Sequence, residues 1–139
     1  LPEHLYSEML KVQDTLTICP PSPLQFAAEA AVKLGASYPK RFIPVLEKVR
    51  KIFTESLPNL SCAEMPVTKG SYYFMLRLKT KRRDWVIARK LIEEYGVITV
   101  PGEVFGMTRP ALRVAYANVE EQEAVEGIAR LTRGLEYIL

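Results

Sequence analysis

Histidine is almost absent from this chain: His4 is the one copy in 139 residues. Cysteine is nearly as scarce, with Cys19 and Cys62 as the only two. A zinc site draws several ligands from His and Cys, and a Ser or Cys nucleophile needs a histidine base within reach, so the composition points to no metal and away from Ser–His or Cys–His hydrolysis. Two cysteines are also too few for a disulfide framework, which fits a reducing, cytoplasmic compartment. Glycine is thin as well, and Gly102 and Gly106 are too sparse for a phosphate-cradling loop. No apolar run approaches the roughly 18 residues of a membrane span. The opening residues LPEHLYSEML lack a basic start ahead of an apolar run, so no secretory leader is read. There is no initiating methionine either, and the chain is expected to be a piece of something longer. The net charge is only +3. Its one dense basic run, Lys79-Thr80-Lys81-Arg82-Arg83, has no aromatic ladder beside it and reads as a solvated turn, so no nucleic-acid partner is expected.

What is present is mostly patterned, and 48% of the residues are hydrophobic, enough for a real core. Leu5, Met9, Val12 and Leu16 recur at helical spacing within Leu1–Thr17. The prolines of Cys19-Pro20-Pro21-Ser22-Pro23 then stop that helix. Ser22 and Pro23 suit the start of a second helix that Gly35 ends. A third is predicted from about Ser37–Lys40 to Leu57, with Phe42, Val45, Leu46, Val49, Ile52 and Phe53 as its stripe. Pro58–Pro66 is a connector. Ser71–Lys79 alternates as a strand with Tyr72, Phe74, Leu76 and Leu78 on one face. Asp84 caps a fourth helix that ends at Gly96. The last helix starts at Asn118, with Glu121 at capping-box spacing; the only paired carboxylates lie on its outer face. Lys69, before Gly70, reads as a turn residue.

Between these last two helices lies the stretch that carries chemistry, Val97–Asn118. Val97–Val100 reads as a strand closed by the Pro101-Gly102 turn. Ala111–Ala117 reads as another, with Leu112, Val114 and Tyr116 facing the core and Arg113 among Ala111, Ala115 and Ala117 on the opposite face. Small neighbours leave open the space that the guanidinium reaches into. Two roles are open to Arg113 on spacing alone. It could be a solvated strand arginine in a weak surface ion pair, or a rigid, always-charged fork for a carboxylate. The fold class is α+β: a small three-stranded sheet packed by helices on one face, preceded by an N-terminal helical arm. Residues 1–21 form that arm, and residues 22–139 form the domain.

Several pieces in order resemble the C-terminal part of fold-type I, pyridoxal-phosphate (PLP)-dependent aminotransferases of the class I/II family. They are Lys11-Val12-Gln13-Asp14 with Ile18-Cys19-Pro20 and Gln25; Lys69-Gly70-Ser71-Tyr72-Tyr73-Phe74; Tyr95-Gly96-Val97; Val100-Pro101-Gly102 with Phe105-Gly106; and Leu112-Arg113-Val114-Ala115-Tyr116-Ala117-Asn118. Each is weak alone, but their order and spacing across nearly the whole chain are specific. The resemblance implies that this is an aminotransferase small domain and that residues 1–21 are the tail of a large domain lying upstream. It implies that Arg113 clamps the α-carboxylate of the substrate, that Gly70 and Tyr73 lie near the substrate entrance, and that Pro101–Gly106 shapes the turn beside the site.

The departures count equally. The family's Schiff-base lysine, pyridine-nitrogen aspartate and phosphate cup have no counterpart here, and the resemblance places Leu1 just after that lysine. No PLP is therefore expected in this piece, which alone should not transaminate, whereas the full-length parent would. The parent is expected to pass the amino group of an amino acid to a 2-oxo acid by ping-pong transfer, as a cytoplasmic homodimer. Two alternatives remain: a PLP-dependent lyase of the same family, and a free-standing α+β module that binds a small acid or a nucleic-acid backbone.

Overall fold

A computed structural model describes residues 1–66 and 68–139, which divide into two units, Leu1–Arg41 and Phe42–Leu139. The first unit is helical. A 3-10 turn at Glu3–Leu5 leads into α1 (Tyr6–Leu16), followed by α2 (Ser22–Leu34) and the single turn α3 (Ser37–Lys40). Pro23 occupies the first turn of α2, where its lacking N–H costs nothing, and Gly35 ends the helix at φ 64°. Every residue from 1 to 41 is exposed, including Met9, Leu16, Phe26 and Leu34. The helix predicted over residues 37–57 is in fact two. It breaks at Arg41–Phe42 and restarts as α4 (Ile43–Ser56), because Pro44 can sit in a first turn but not in a helix interior.

The second unit is built on an antiparallel sheet. Four strands stand in the order β1-β2-β4-β3: β1 (Ala63–Glu64), β2 (Tyr73–Leu78), β3 (Val100–Pro101) and β4 (Ala111–Ala115). The expected three-stranded sheet is thus corrected to four, the extra strand being two residues that pair with the end of β2. The strand expected at Val97–Val100 also shrinks, since only Val100 and Pro101 pair with β4.

Period two works as expected at the centre. Phe74 and Leu76 of β2 lie opposite Val114 and Leu112 of β4, and these four are buried together with Leu78 and Tyr116 at the two ends of the same face. They pack on Val49 and Phe53 of α4, on Ile87 and Leu91 of α5 (Asp84–Tyr95), and on Ala124, Ile128, Leu131 and Leu135 of α6 (Glu121–Ile138). Burying side chains such as Leu76 or Leu112 completely contributes about 1.5–3 kcal/mol each. Phe74 stacks on Tyr116 with centroids 5.1 Å apart, and Phe53 lies 6.1 Å from Phe74.

Helix ends locate the remaining elements. α5 closes at Gly96 in the left-handed region, φ 65°, where its N–H reaches the carbonyl of Ile92. The capping box of α6 uses Glu120 and Glu123, two residues beyond the Asn118–Glu121 pair expected from spacing. The i to i+3 rule was satisfied by both pairs, and residues 117–119 are spent on the turn out of β4.

Candidate functional site

Arg113 lies at the middle of β4, beside Met75 of β2 and Val100 of β3. Strand alternation puts its side chain on the face away from the helices, and neighbours on both sides leave it half-buried. The space that small alanines were expected to leave open is bounded by two aromatic rings. The guanidinium carbon lies 5.1 Å from the centre of the Tyr73 ring and 5.2 Å from that of Phe105. Tyr73 comes from β2, paired with Ala115, and Phe105 from the 3-10 turn Gly102–Phe105 that follows β3. Each such contact is worth about 0.5–1 kcal/mol, more where water is excluded.

No carboxylate among the described residues pairs with Arg113, and its Nε is buried with no hydrogen-bond partner. Leaving a buried donor unmade costs on the order of 1–3 kcal/mol. A cavity of about 600 Å³ counts Arg113 among its lining residues, but its walls are mostly Val97–Val100 and α6 residues such as Glu123, Gly127 and Arg130, and neither the Tyr73 nor the Phe105 ring lies on it. The Oγ1 of Thr99 is likewise buried without a partner. A half-buried cation beside two rings, with no acid partner among the described residues, can take up an anion from outside.

The other sequence candidates fall as follows. Tyr73 is brought directly to Arg113. Gly70 stands in the exposed bend that leads to β2, where an added Cβ would meet nothing within 4 Å. Phe105 lies in the turn expected beside the site; its ring against Arg113 depends on a tertiary contact that no spacing reveals. Asp84, expected to cap α5, is instead its first residue, with Arg83 at the cap position; one of its carboxylate oxygens accepts the N–H of Glu103, 19 positions away, at 3.0 Å. The basic run is partly engaged: Lys79 pairs with Glu64 and Arg83 with Glu103. Among the described residues no group of acids, histidine and cysteines could hold a metal ion, and no helix is long and apolar enough to cross a membrane.

Comparison with known proteins bears on what this arrangement serves. The family model described as aminotransferase class I and II matches residues 1–131. Aromatic aminotransferase ISS1 of Arabidopsis thaliana is 30% identical over 134 residues, which is 96% of this chain and 34% of that protein. The aspartate aminotransferase of Sulfurisphaera tokodaii is 27% identical over 148 residues, covering 99% of this chain and 36% of the relative. The chain therefore spans about a third of the length of these relatives. Among solved structures, the aromatic aminotransferase of Pyrococcus horikoshii superposes with a TM-score of 0.77 at 24% identity, over 99% of this chain and 37% of that one. The kynurenine aminotransferase of the same organism, solved in complex with PMP, gives 0.76 at 21% identity over 99% and 35%. Likeness at this level of identity establishes the fold.

Proposed function

The chain belongs to the class I and II aminotransferases, and from that premise we propose that it is the small-domain part of a PLP-dependent enzyme that transfers the amino group of an amino acid to a 2-oxo acid. The single observation that carries the reading is Arg113: a half-buried guanidinium between two rings, with no acid partner among the described residues. An amino acid and its oxo acid share one carboxylate, so a single grip serves both halves of the transfer.

In this reading the Arg113 fork takes the carboxylate by two parallel N–H···O bonds, which fixes the direction in which Cα presents its hydrogen. The Tyr73 and Phe105 rings limit the tilt of the guanidinium plane and keep water from its faces, which strengthens the charge-assisted bonds. Gly70 and Tyr73 are placed near the substrate entrance, a role supported by the contact of Tyr73 with the arginine. Residues 1–21 belong to a larger domain supplied by the rest of the protein, consistent with the absence of any buried residue in α1. The whole enzyme is a cytoplasmic homodimer in this reading, as the family resemblance implies.

PLP does not fit the residues of this chain alone. No lysine lines the Arg113 cavity, so the Schiff-base partner and the phosphate cup are assigned to the remainder of the full-length protein. This chain by itself is expected to be inactive.

The test uses the full-length protein. It should carry the absorbance of bound PLP, and Arg113→Leu should weaken amino-acid affinity by about 2–5 kcal/mol while leaving that absorbance in place. Unchanged affinity would remove Arg113 from the site.

A further inference from the structure

The turn that carries Phe105 is held by two consecutive residues at the start of α5. Asp84 is 3% exposed, and no cation among the described residues pairs with it. Two backbone donors satisfy its carboxylate instead. Oδ1 accepts the N–H of Trp85 at 3.0 Å, and Oδ2 accepts the N–H of Glu103 at 3.0 Å. The neighbouring Arg83 bonds the Glu103 carboxylate at 3.2 Å. That ion pair is mostly exposed and contributes little, whereas the buried acid holds the Glu103 main chain.

Two residues beyond Glu103, the Phe105 ring meets the Arg113 guanidinium. The turn that contains both is pinned at its two ends. A Cβ on Gly102 would lie 2.8 Å from that of Ala111, and the Met107 N–H bonds back to the Gly102 carbonyl at 3.2 Å. Any displacement of Glu103 must therefore move the turn as a whole, and Phe105 with it. An acid that served only its own helix would have no use for the second bond.

The geometry points to Asp84 as a positioning residue for carboxylate recognition: through the Glu103 amide it sets the Phe105 wall against Arg113, and so the affinity of the site. This rests on Arg113 being the carboxylate grip. Asp84 itself touches neither substrate nor guanidinium.

A double-mutant cycle in the full-length protein tests it. Dissociation constants of two carboxylates without an amino group, 3-phenylpropanoate and succinate, are measured for the unaltered protein, Asp84→Ala, Phe105→Leu and the double variant, with Arg113→Leu as reference. Asp84→Ala should weaken whichever carboxylate the unaltered protein binds by about tenfold, and should cause no further loss in the Phe105→Leu background. Asp84→Asn, which keeps the side-chain length but sets an amide group against one of the two donors, runs the same cycle if Asp84→Ala does not fold. The inference is overturned if the two losses multiply, or if Asp84 variants lower the melting temperature and leave affinity untouched. If Arg113→Leu leaves carboxylate affinity unchanged, it is the reading of the arginine that fails, and that result is separate from the outcome of the cycle.

Discussion

The hydroxyl of Tyr116 donates a 2.6 Å hydrogen bond to the carbonyl of Ser71, 45 positions earlier in the chain. One residue on, the Tyr116 N–H bonds the Tyr72 carbonyl at 3.0 Å. Main chain and side chain of a buried tyrosine thus tie down the residues that lead into Tyr73. Ser71 is also the described non-glycine residue with positive φ, at 69°, so the entry into β2 is a strained bend fastened from below.

Tyr116→Phe should therefore lower stability by about 1 kcal/mol, the net worth of one partly buried hydrogen bond, with no change in the slope of a urea titration. Ser71→Gly should move the other way or not at all, because glycine adopts that conformation freely. A larger loss in Ser71→Gly than in Tyr116→Phe would show that the bend is held by something other than this bond.

Gly102 and Gly70 should differ sharply as alanine sites. At Gly102 the added methyl meets the Ala111 Cβ at 2.8 Å and its carbonyl oxygen at 3.2 Å, atoms that can shift only with the strand. A cost of about 1–3 kcal/mol is expected for Gly102→Ala by denaturant unfolding. Gly70→Ala meets no atom within 4 Å and should change stability by less than about 0.5 kcal/mol. Equal effects at the two sites would contradict this packing.

Arg113 should be nearly dispensable for stability. Its cation makes two ring contacts, yet its buried Nε goes unpaired, and the gain and the cost offset each other. Arg113→Met should shift the unfolding free energy by less than about 1 kcal/mol while removing carboxylate affinity from the full-length protein. A loss of several kcal/mol would mean that the arginine is structural.

The two thiols should separate by reactivity. Burial raises the pKa of half-buried Cys62 above the ordinary thiol value, and the backbone hydrogen bond that lowers it is the lesser effect. Cys19 is exposed. Since the thiolate is the reactive form, a disulfide reagent near pH 8 should label Cys19 first. The Cys62 rate should go on rising at pH values above the ordinary thiol range. The folded-state pKa of Cys62 exceeds the unfolded one, so its contribution to stability is present below the unfolded pKa and is lost as pH rises through the folded one. Equal labelling rates, or a Cys62 rate that levels within the ordinary thiol range, would dismiss the burial.

How far the chain could be understood before its structure depended on the range of the interactions involved. The alternation of Phe74, Leu76 and Leu78 and the stripe of Ala124, Ile128, Leu131 and Leu135 are local patterns, and both became core faces, whereas Tyr72, expected on the same face, precedes β2 and is exposed. Arg113 could be singled out because its face of β4 is otherwise alanine. Ala63–Glu64 is too short to have a period, so β1 was invisible. Val97–Val100 has strand composition throughout. Even so, Ile98 is 81% exposed while Thr99 beside it is buried, and the segment joins β4 only at its end. Two acid pairs offered themselves as the box of α6, and sequence spacing could not choose between them. Phe105 and the second bond of Asp84 were hidden for the same reason: each acts across the fold on a residue it does not neighbour in sequence.

The total exposure of residues 1–41 has a kinetic consequence. α1 and α2 have 11 and 13 residues, close to the length at which a helix with no packed face is only marginal in water. Their amides can then open one turn at a time at almost no free-energy cost, while those of β2 and β4 must wait for the whole sheet to come apart. Deuterium uptake and a trace of protease would accordingly find the first forty-one residues long before the rest, unless another surface covers them.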